Sequence, residues 1–211
     1  PASEGVRIAE TVNAVFGIDE HSTYLSTAPM YHAAPIAFTT ATQSLGGTVV
    51  MMEKFDPVEA LRAIEHYGVT HSQWVPTMFS RMLKLPEADR DQFDLATHKI
   101  ALHSAAPCPI KVKQQMMNWW GPMLHEYYGG TDTDGMTYIG PQDWLDHPGS
   151  VGRPSGVGIH ICDEDGNELP PGEPGIVYFE SAKKLAISYR NDPEKSQKTR
   201  HPDHPTWMAP G

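Results

Sequence analysis

Tyr127-Tyr128-Gly129-Gly130-Thr131-Asp132 is the stretch of this 211-residue chain best equipped for chemistry. It follows Leu124-His125-Glu126, which reads as the end of a strand. Paired glycines where a strand stops let backbone approach a ligand closely, because no Cβ stands in the way. The tyrosine offers a flat face, Thr131 a hydroxyl, and Asp132 a hard oxygen ligand of the kind Mg2+ prefers. Together they could form a nucleotide–metal site. The same residues also describe an ordinary glycine turn with an exposed aspartate, and the segment alone leaves both readings open.

The elements around this stretch must place it. Strand-like runs at Thr23–Thr27, Thr48–Met52, Val69–Val75, Lys99–His103 and Met123–Tyr127 alternate with helical patterns. One helix is expected over Ile36–Leu45. A second starts with Asp56 as N-cap and Pro57 in its first turn, and closes at Tyr67-Gly68. Others open at Pro76 and at Pro109, with a polar loop between Pro86 and Thr97. Strands separated by helices predict βαβ units and a mainly parallel sheet with helices on its faces. Ligands of such sheets sit beyond the carboxyl ends of the strands, where Gly129–Asp132 falls. From Gly149 the texture changes to tight turns, Asp165-Gly166 and Pro170–Gly175, around Ile159–Cys162 and Ile176–Glu180. The chain is therefore read as α/β over residues 1–148, then a small antiparallel β segment with a frayed tail over 149–211.

Composition narrows the classes. Hydrophobic residues at 39% and charged residues at 20% describe an ordinary soluble globular protein. No apolar run approaches the ~20 residues a membrane span needs, and Pro1 to Glu10, mixing charge and small residues, does not read as a signal peptide. A formal charge of −10 argues against nucleic acid or an anionic membrane as partner. It also leaves any bound ATP to draw its cations from Mg2+ or from other protein. Cys108 and Cys162 lie far apart without metal spacing and read as reduced thiols, which suits a cytoplasmic location. Pro1 in place of an initiator Met suggests a chain that begins inside a longer protein.

A series of short motifs is more specific than any one of them. In order they are Ala28-Pro29-Met30-Tyr31-His32, Trp74-Val75-Pro76-Thr77, Ser104-Ala105-Ala106-Pro107 and Tyr127–Asp132. Gly149-Ser150-Val151-Gly152-Arg153-Pro154, Gly172-Glu173-Pro174-Gly175 and Tyr189-Arg190-Asn191-Asp192-Pro193-Glu194 complete it. Over roughly residues 15–200 the series resembles the acyl-adenylate-forming family, the AMP-dependent acyl-CoA synthetases and ligases, most nearly bacterial fatty-acid–CoA ligases. The resemblance implies part of an adenylation domain, activation of a small-molecule carboxylic acid, fatty or related, by ATP to acyl-AMP, and transfer to coenzyme A. It implies that Tyr128 stacks on adenine, with Glu126, Tyr127 and the Ser104–Pro107 turn near the base. Gly129 and Gly130 would admit the ligand, Thr131 would bond phosphate, and Asp132 would hold Mg2+. His32 would line the acyl pocket beside the reacting carboxylate, and Trp74, Thr77, Ala106 and Gly130 would shape an acyl tunnel or simply pack the core.

Departures from the family pattern carry their own expectations. Asp132 stands where the family has Glu, which withdraws the carboxylate by roughly 1.5 Å, one carbon–carbon bond. The Ser/Thr/Gly-rich phosphate loop should lie before residue 1, and Gly46-Gly47-Thr48 lacks the lysine and glycines to replace it. The ribose-binding Asp and the lysine-bearing C-terminal domain are missing from the 211 residues, so the chain alone is expected to be inactive. The rival reading is a non-catalytic acyl- or adenosine-binding module or scaffold. A nicotinamide dehydrogenase is disfavoured because no Gly-x-Gly-x-x-Gly follows an early strand. His201, Asp203 and His204 read as solvated loop rather than a metal site, and Lys183-Lys184 as a solvated face.

Overall fold

A helix not expected from the sequence, α1 (Ala2–Phe16), precedes the alternating elements. These are β1 (Thr23–Ser26), α2 (Ala33–Ser44), β2 (Thr48–Met51), α3 (Pro57–Tyr67), β3 (His71–Trp74), α4 (Pro76–Met82), α5 (Glu87–Arg90), β4 (Ile100–His103), α6 (Ile110–Trp120) and β5 (Leu124–Tyr128). Then come β6 (Met136–Ile139), α7 (Pro141–Asp146), β7 (Arg153–Ser155), β8 (Ile159–Cys162), β9 (Ile176–Glu180), α8 (Pro193–Lys198) and β10 (Trp207–Met208). The computed structural model describes residues 2–130, 133, 135–181 and 188–210, with side chains from residue 8 onward. The chain divides into two compact units, residues 1–126 with 140–150 and residues 127–139 with 151–211. The later crossing thus falls at 150/151, beside the composition change at 148/149, while residues 127–139 group with the second unit.

In the first unit the strands run in the order β2-β1-β3-β4-β5, and all neighbours are parallel. Local chemistry explains the crossovers. Asp56 Oδ1 accepts from the N–H groups of Val58 and Glu59 at 2.9 and 3.1 Å, so α3 starts where its cap and proline require. Gly68 ends α3 in the left-handed region at φ 61°, a conformation glycine adopts without Cβ strain. Leu61 and Ile64 on α3, Phe79 and Met82 on α4, and Met116 on α6 are fully buried with Leu25, Trp74 and Leu102 of the sheet. The stretch 86–97, expected as loop, contains the single turn α5. Trp74 is a core residue: its Nε1–H donates to Ser72 Oγ at 2.6 Å, and its ring lies 5.2 Å from that of Trp120.

In the second unit β6 and β7 pair antiparallel, Tyr138 opposite Arg153. Gly152 sits at φ 89°, where an added Cβ would lie 1.9 Å from Tyr138 O, so no other residue fits. β8 and β9 pair antiparallel as expected, and β10 adds a third strand in the order β10-β9-β8. The Asp163–Asn167 turn closes through Asp163 Oδ1, which accepts from the N–H groups of Asp165 and Asn167 at 3.0 and 2.8 Å.

The tail corrects the expectation of fraying. Trp207 and Met208 are buried and pair with Glu180 and Phe179 of β9, because a Trp-Met pair amid polar residues has apolar area to bury. His201 is likewise buried rather than solvated. Its Nε2–H donates to Gly166 O at 2.8 Å, and its Nδ1 accepts from the N–H groups of Asp203 and His204, both at 3.1 Å. Lys183 and Lys184 lie outside the described residues. Among the described residues no helix is long and apolar enough to cross a membrane.

Candidate functional site

In the first unit the candidate segment is the loop that joins β4 to α6. Ser104 is buried at the carboxyl end of β4, while Ala105, Ala106 and Pro107 are exposed. Ala105 stands at φ 73°, the left-handed region that an alanine occupies only against its own Cβ. A strained, exposed loop at the carboxyl end of a parallel strand is where a ligand of this architecture is met.

Beneath that loop lies a buried charge cluster. Lys113 Nζ donates to Glu126 Oε2 at 2.6 Å, and the two side chains are 0% and 7% exposed. The Lys113 ammonium also lies 4.8 Å from the centre of the buried Trp144 ring. His103, fully buried, places Nε2 3.5 Å from the same Glu126 oxygen. Neither ring nitrogen of His103 makes a hydrogen bond among the described residues. Burial, with Lys113 and His125 beside it, pushes the His103 pKa down to about 2, so the ring is neutral. Burial also lowers the Lys113 pKa, against the opposing pull of Glu126. Cys108 in the loop is free, and burial raises its thiol to about 11, which leaves it protonated and unreactive. Glu126, expected near a base, is thus committed to Lys113.

The aromatic and glycine stretch lies in the second unit. Tyr127 and Tyr128 are half-buried, and the Tyr128 ring lies 5.9 Å from that of Phe179 at 37°. Burial raises the Tyr128 hydroxyl pKa, so it stays a neutral phenol. A Cβ on Gly129 would lie 2.9 Å from Gly135 O, so this glycine is needed for the chain to fold back on itself. Thr133 fastens that return: Oγ1 accepts from Gly130 N–H at 3.3 Å and lies 3.0 Å from Gly135 O, within donating reach. Thr131 and Asp132 lie outside the described residues. Among the described residues no group of three or more His, Cys, Asp or Glu could hold a metal ion.

The remaining motif residues are placed as follows. His32 is exposed at the N-cap of α2, its ring 4.5 Å from that of Tyr31, and its side chain makes no capping bond. Gly47 is held by packing: a Cβ there would lie 2.8 Å from both Asp19 O and Thr42 Cγ2. Tyr189, Asn191, Asp192 and Pro193 line a surface hollow of about 390 Å³ with Ser196 and Arg200. Asp192 caps α8 by accepting from Lys195 N–H at 2.9 Å. Lys113 and His103 were not singled out from the sequence. A signal was present for Lys113, which falls on the same helical stripe as Met116, Met117 and Trp120.

A family model described as AMP-binding enzyme matches residues 4–189. The chain is 31% identical over 180 residues to a medium/long-chain-fatty-acid–CoA ligase of Mycobacterium tuberculosis, covering 83% of this chain and 31% of that protein. It is 28% identical over 175 residues to a long-chain-fatty-acid–CoA ligase of Bacillus subtilis, covering 82% and 31%. The chain therefore spans about a third of the length of these relatives. An amide bond synthetase of Marinactinospora thermotolerans shares the fold with a TM-score of 0.83 at 24% identity, over 98% of this chain and 42% of that one.

Proposed function

Because the chain belongs to the AMP-binding enzyme family, we propose that it is part of an AMP-forming acyl-CoA ligase acting on a fatty or related carboxylic acid. The carboxylate would attack the α-phosphate of ATP and release pyrophosphate, and coenzyme A would then displace AMP from the acyl carbon. The observation that carries the reading is the Ser104–Pro107 loop, exposed from a left-handed Ala105 onward, at the carboxyl end of a parallel strand.

In the first unit, the backbone of Ser104, Ala105, Ala106 and Pro107 would meet the base, since three of these residues present little side chain beyond Cβ. His32, exposed and uncommitted to its helix cap, would face the acyl carboxylate. In the second, the half-buried face of Tyr128 would stack on adenine, next to Tyr127, Gly129 and Gly130. Thr131 would bond phosphate and Asp132 would hold Mg2+, which would neutralise phosphate charge.

Taken alone, these 211 residues are expected to bind nucleotide without turning it over. Gly46-Gly47, whose second glycine is accounted for by packing, offers no substitute phosphate grip. The fatty-acid–CoA ligases among the relatives support a fatty acyl substrate. Calorimetric titration with a non-reactive acyl-adenylate analogue plus Mg2+ tests the reading. Saturable binding that Tyr128→Ala abolishes is expected; a folded chain that binds nothing would sink it. Acyl-dependent pyrophosphate release above a Tyr128→Ala/Asp132→Ala control would instead overturn the expected inactivity.

A further inference from the structure

We propose that Lys113 and Glu126 form a buried positioning device that fixes the Ser104–Pro107 loop in the conformation that meets the ligand. The proposal rests on the reading of that loop as part of a nucleotide site. It assigns Glu126 a task other than touching the base.

His103 is the last residue of β4, immediately before the loop, and it stands in register with Glu126 on β5. Lys113 lies in the first turns of α6, immediately after the loop. The 2.6 Å Lys113–Glu126 bond therefore ties the element that follows the loop to the strand beside the one that precedes it. Glu126 Oε2 thus anchors the far side of the loop through Lys113, while the near side is set by the β4–β5 register that places His103 opposite Glu126, its Nε2 3.5 Å from the same oxygen but not hydrogen-bonded to it. Trp144, 4.8 Å from the ammonium, holds Lys113 from a further side.

Support of this kind is needed locally. Pro109, at the N-cap of α6, makes no side-chain capping bond, and the loop before it carries the strained Ala105. An exposed loop of small residues cannot hold such a conformation by its own packing. Buried ion pairs add little net stability over an apolar pair of similar volume, but their bond geometry selects one arrangement of the elements they join. The pair is therefore read as an orienting contact. Lys113 and Glu126 are positioning residues and touch no substrate.

The test separates orientation from stability. In the 211-residue chain, Lys113→Met/Glu126→Leu replaces both charges by apolar groups of similar size. Amide hydrogen exchange across residues 104–112 is measured against the amides of β1 and β3 as an internal reference, together with AMP affinity by calorimetry. The expected result is an unchanged denaturation midpoint, exchange at least tenfold faster across the loop alone, and AMP bound at least tenfold more weakly. Wild-type exchange and wild-type affinity in the double variant would overturn the proposal and leave the nucleotide reading intact. A folded wild type that binds no AMP would overturn the nucleotide reading, and the exchange comparison would still decide whether the device holds the loop. Should the double variant not fold, Glu126→Gln is compared in the same way, with loop-selective acceleration expected and uniform acceleration counting against the proposal.

Discussion

Lys113 and Glu126 lie 13 residues apart in the chain, yet the ammonium and carboxylate meet at 2.6 Å with almost no access to solvent. Removing one partner strands the other as a lone buried charge. Lys113→Met or Glu126→Leu alone is therefore expected to cost about 3–5 kcal/mol, while the double variant stays close to wild type. Urea denaturation of the four proteins measures this. Additive losses in the double variant would show that the two groups do not act as a pair.

Acid should unfold the protein early. Burial holds His98 at about 3 and His103 at about 2, against an ordinary value of 6.5. Both are neutral in the folded chain, and on unfolding below pH 6.5 each takes up a proton. The folded state therefore loses stability as pH falls below 6.5, by roughly 2 kcal/mol for each of these two groups at pH 5. Denaturation midpoints from pH 7.5 to 4.5 should decline steeply over that window. A flat profile would contradict the buried neutral state.

His103→Leu isolates one of these contributions. The imidazole is buried without a hydrogen bond among the described residues, so an apolar side chain of similar size relieves an unmet polar group. Stability at pH 7 should be unchanged or raised by about 1 kcal/mol, and the decline toward pH 5 should become shallower. A loss of several kcal/mol would reveal a bonded histidine.

Gly152→Ala should be among the most damaging single substitutions in the second unit. The new Cβ would lie 1.9 Å from Tyr138 O at a φ of 89°, so the β6–β7 pairing has to open. Circular dichroism and thermal melting are expected to report a destabilised or partly unfolded chain. A melting temperature within a degree or two of wild type would refute the close approach.

His201→Ala should cost about 2–3 kcal/mol, because it leaves Gly166 O and two backbone N–H groups without their partner. Both ring nitrogens are already engaged, so added Zn2+ should leave the melting temperature of the wild type unchanged. A Zn2+-dependent rise lost in this variant would restore the metal reading of the tail.

By itself the sequence determined the alternation of strands and helices, the Asp56-Pro57 start and Gly68 end of α3, and the parallel order of ligand-side loops. These follow from residue period, capping and the conformational freedom of glycine, all of which act within a few positions. It also marked Tyr127–Asp132 as a candidate, because glycines and an aromatic next to hard ligands are visible as letters, whereas Ser104–Pro107 stood out only through the family resemblance. It did not reveal α1, the burial of Trp207 and His201, or the commitment of Glu126. Lys113 on an apolar helical stripe announced a buried cation, but the carboxylate it meets comes from another element. Only tertiary structure decides that choice, since a buried charge is paired by whichever strand the packed sheet sets beside it.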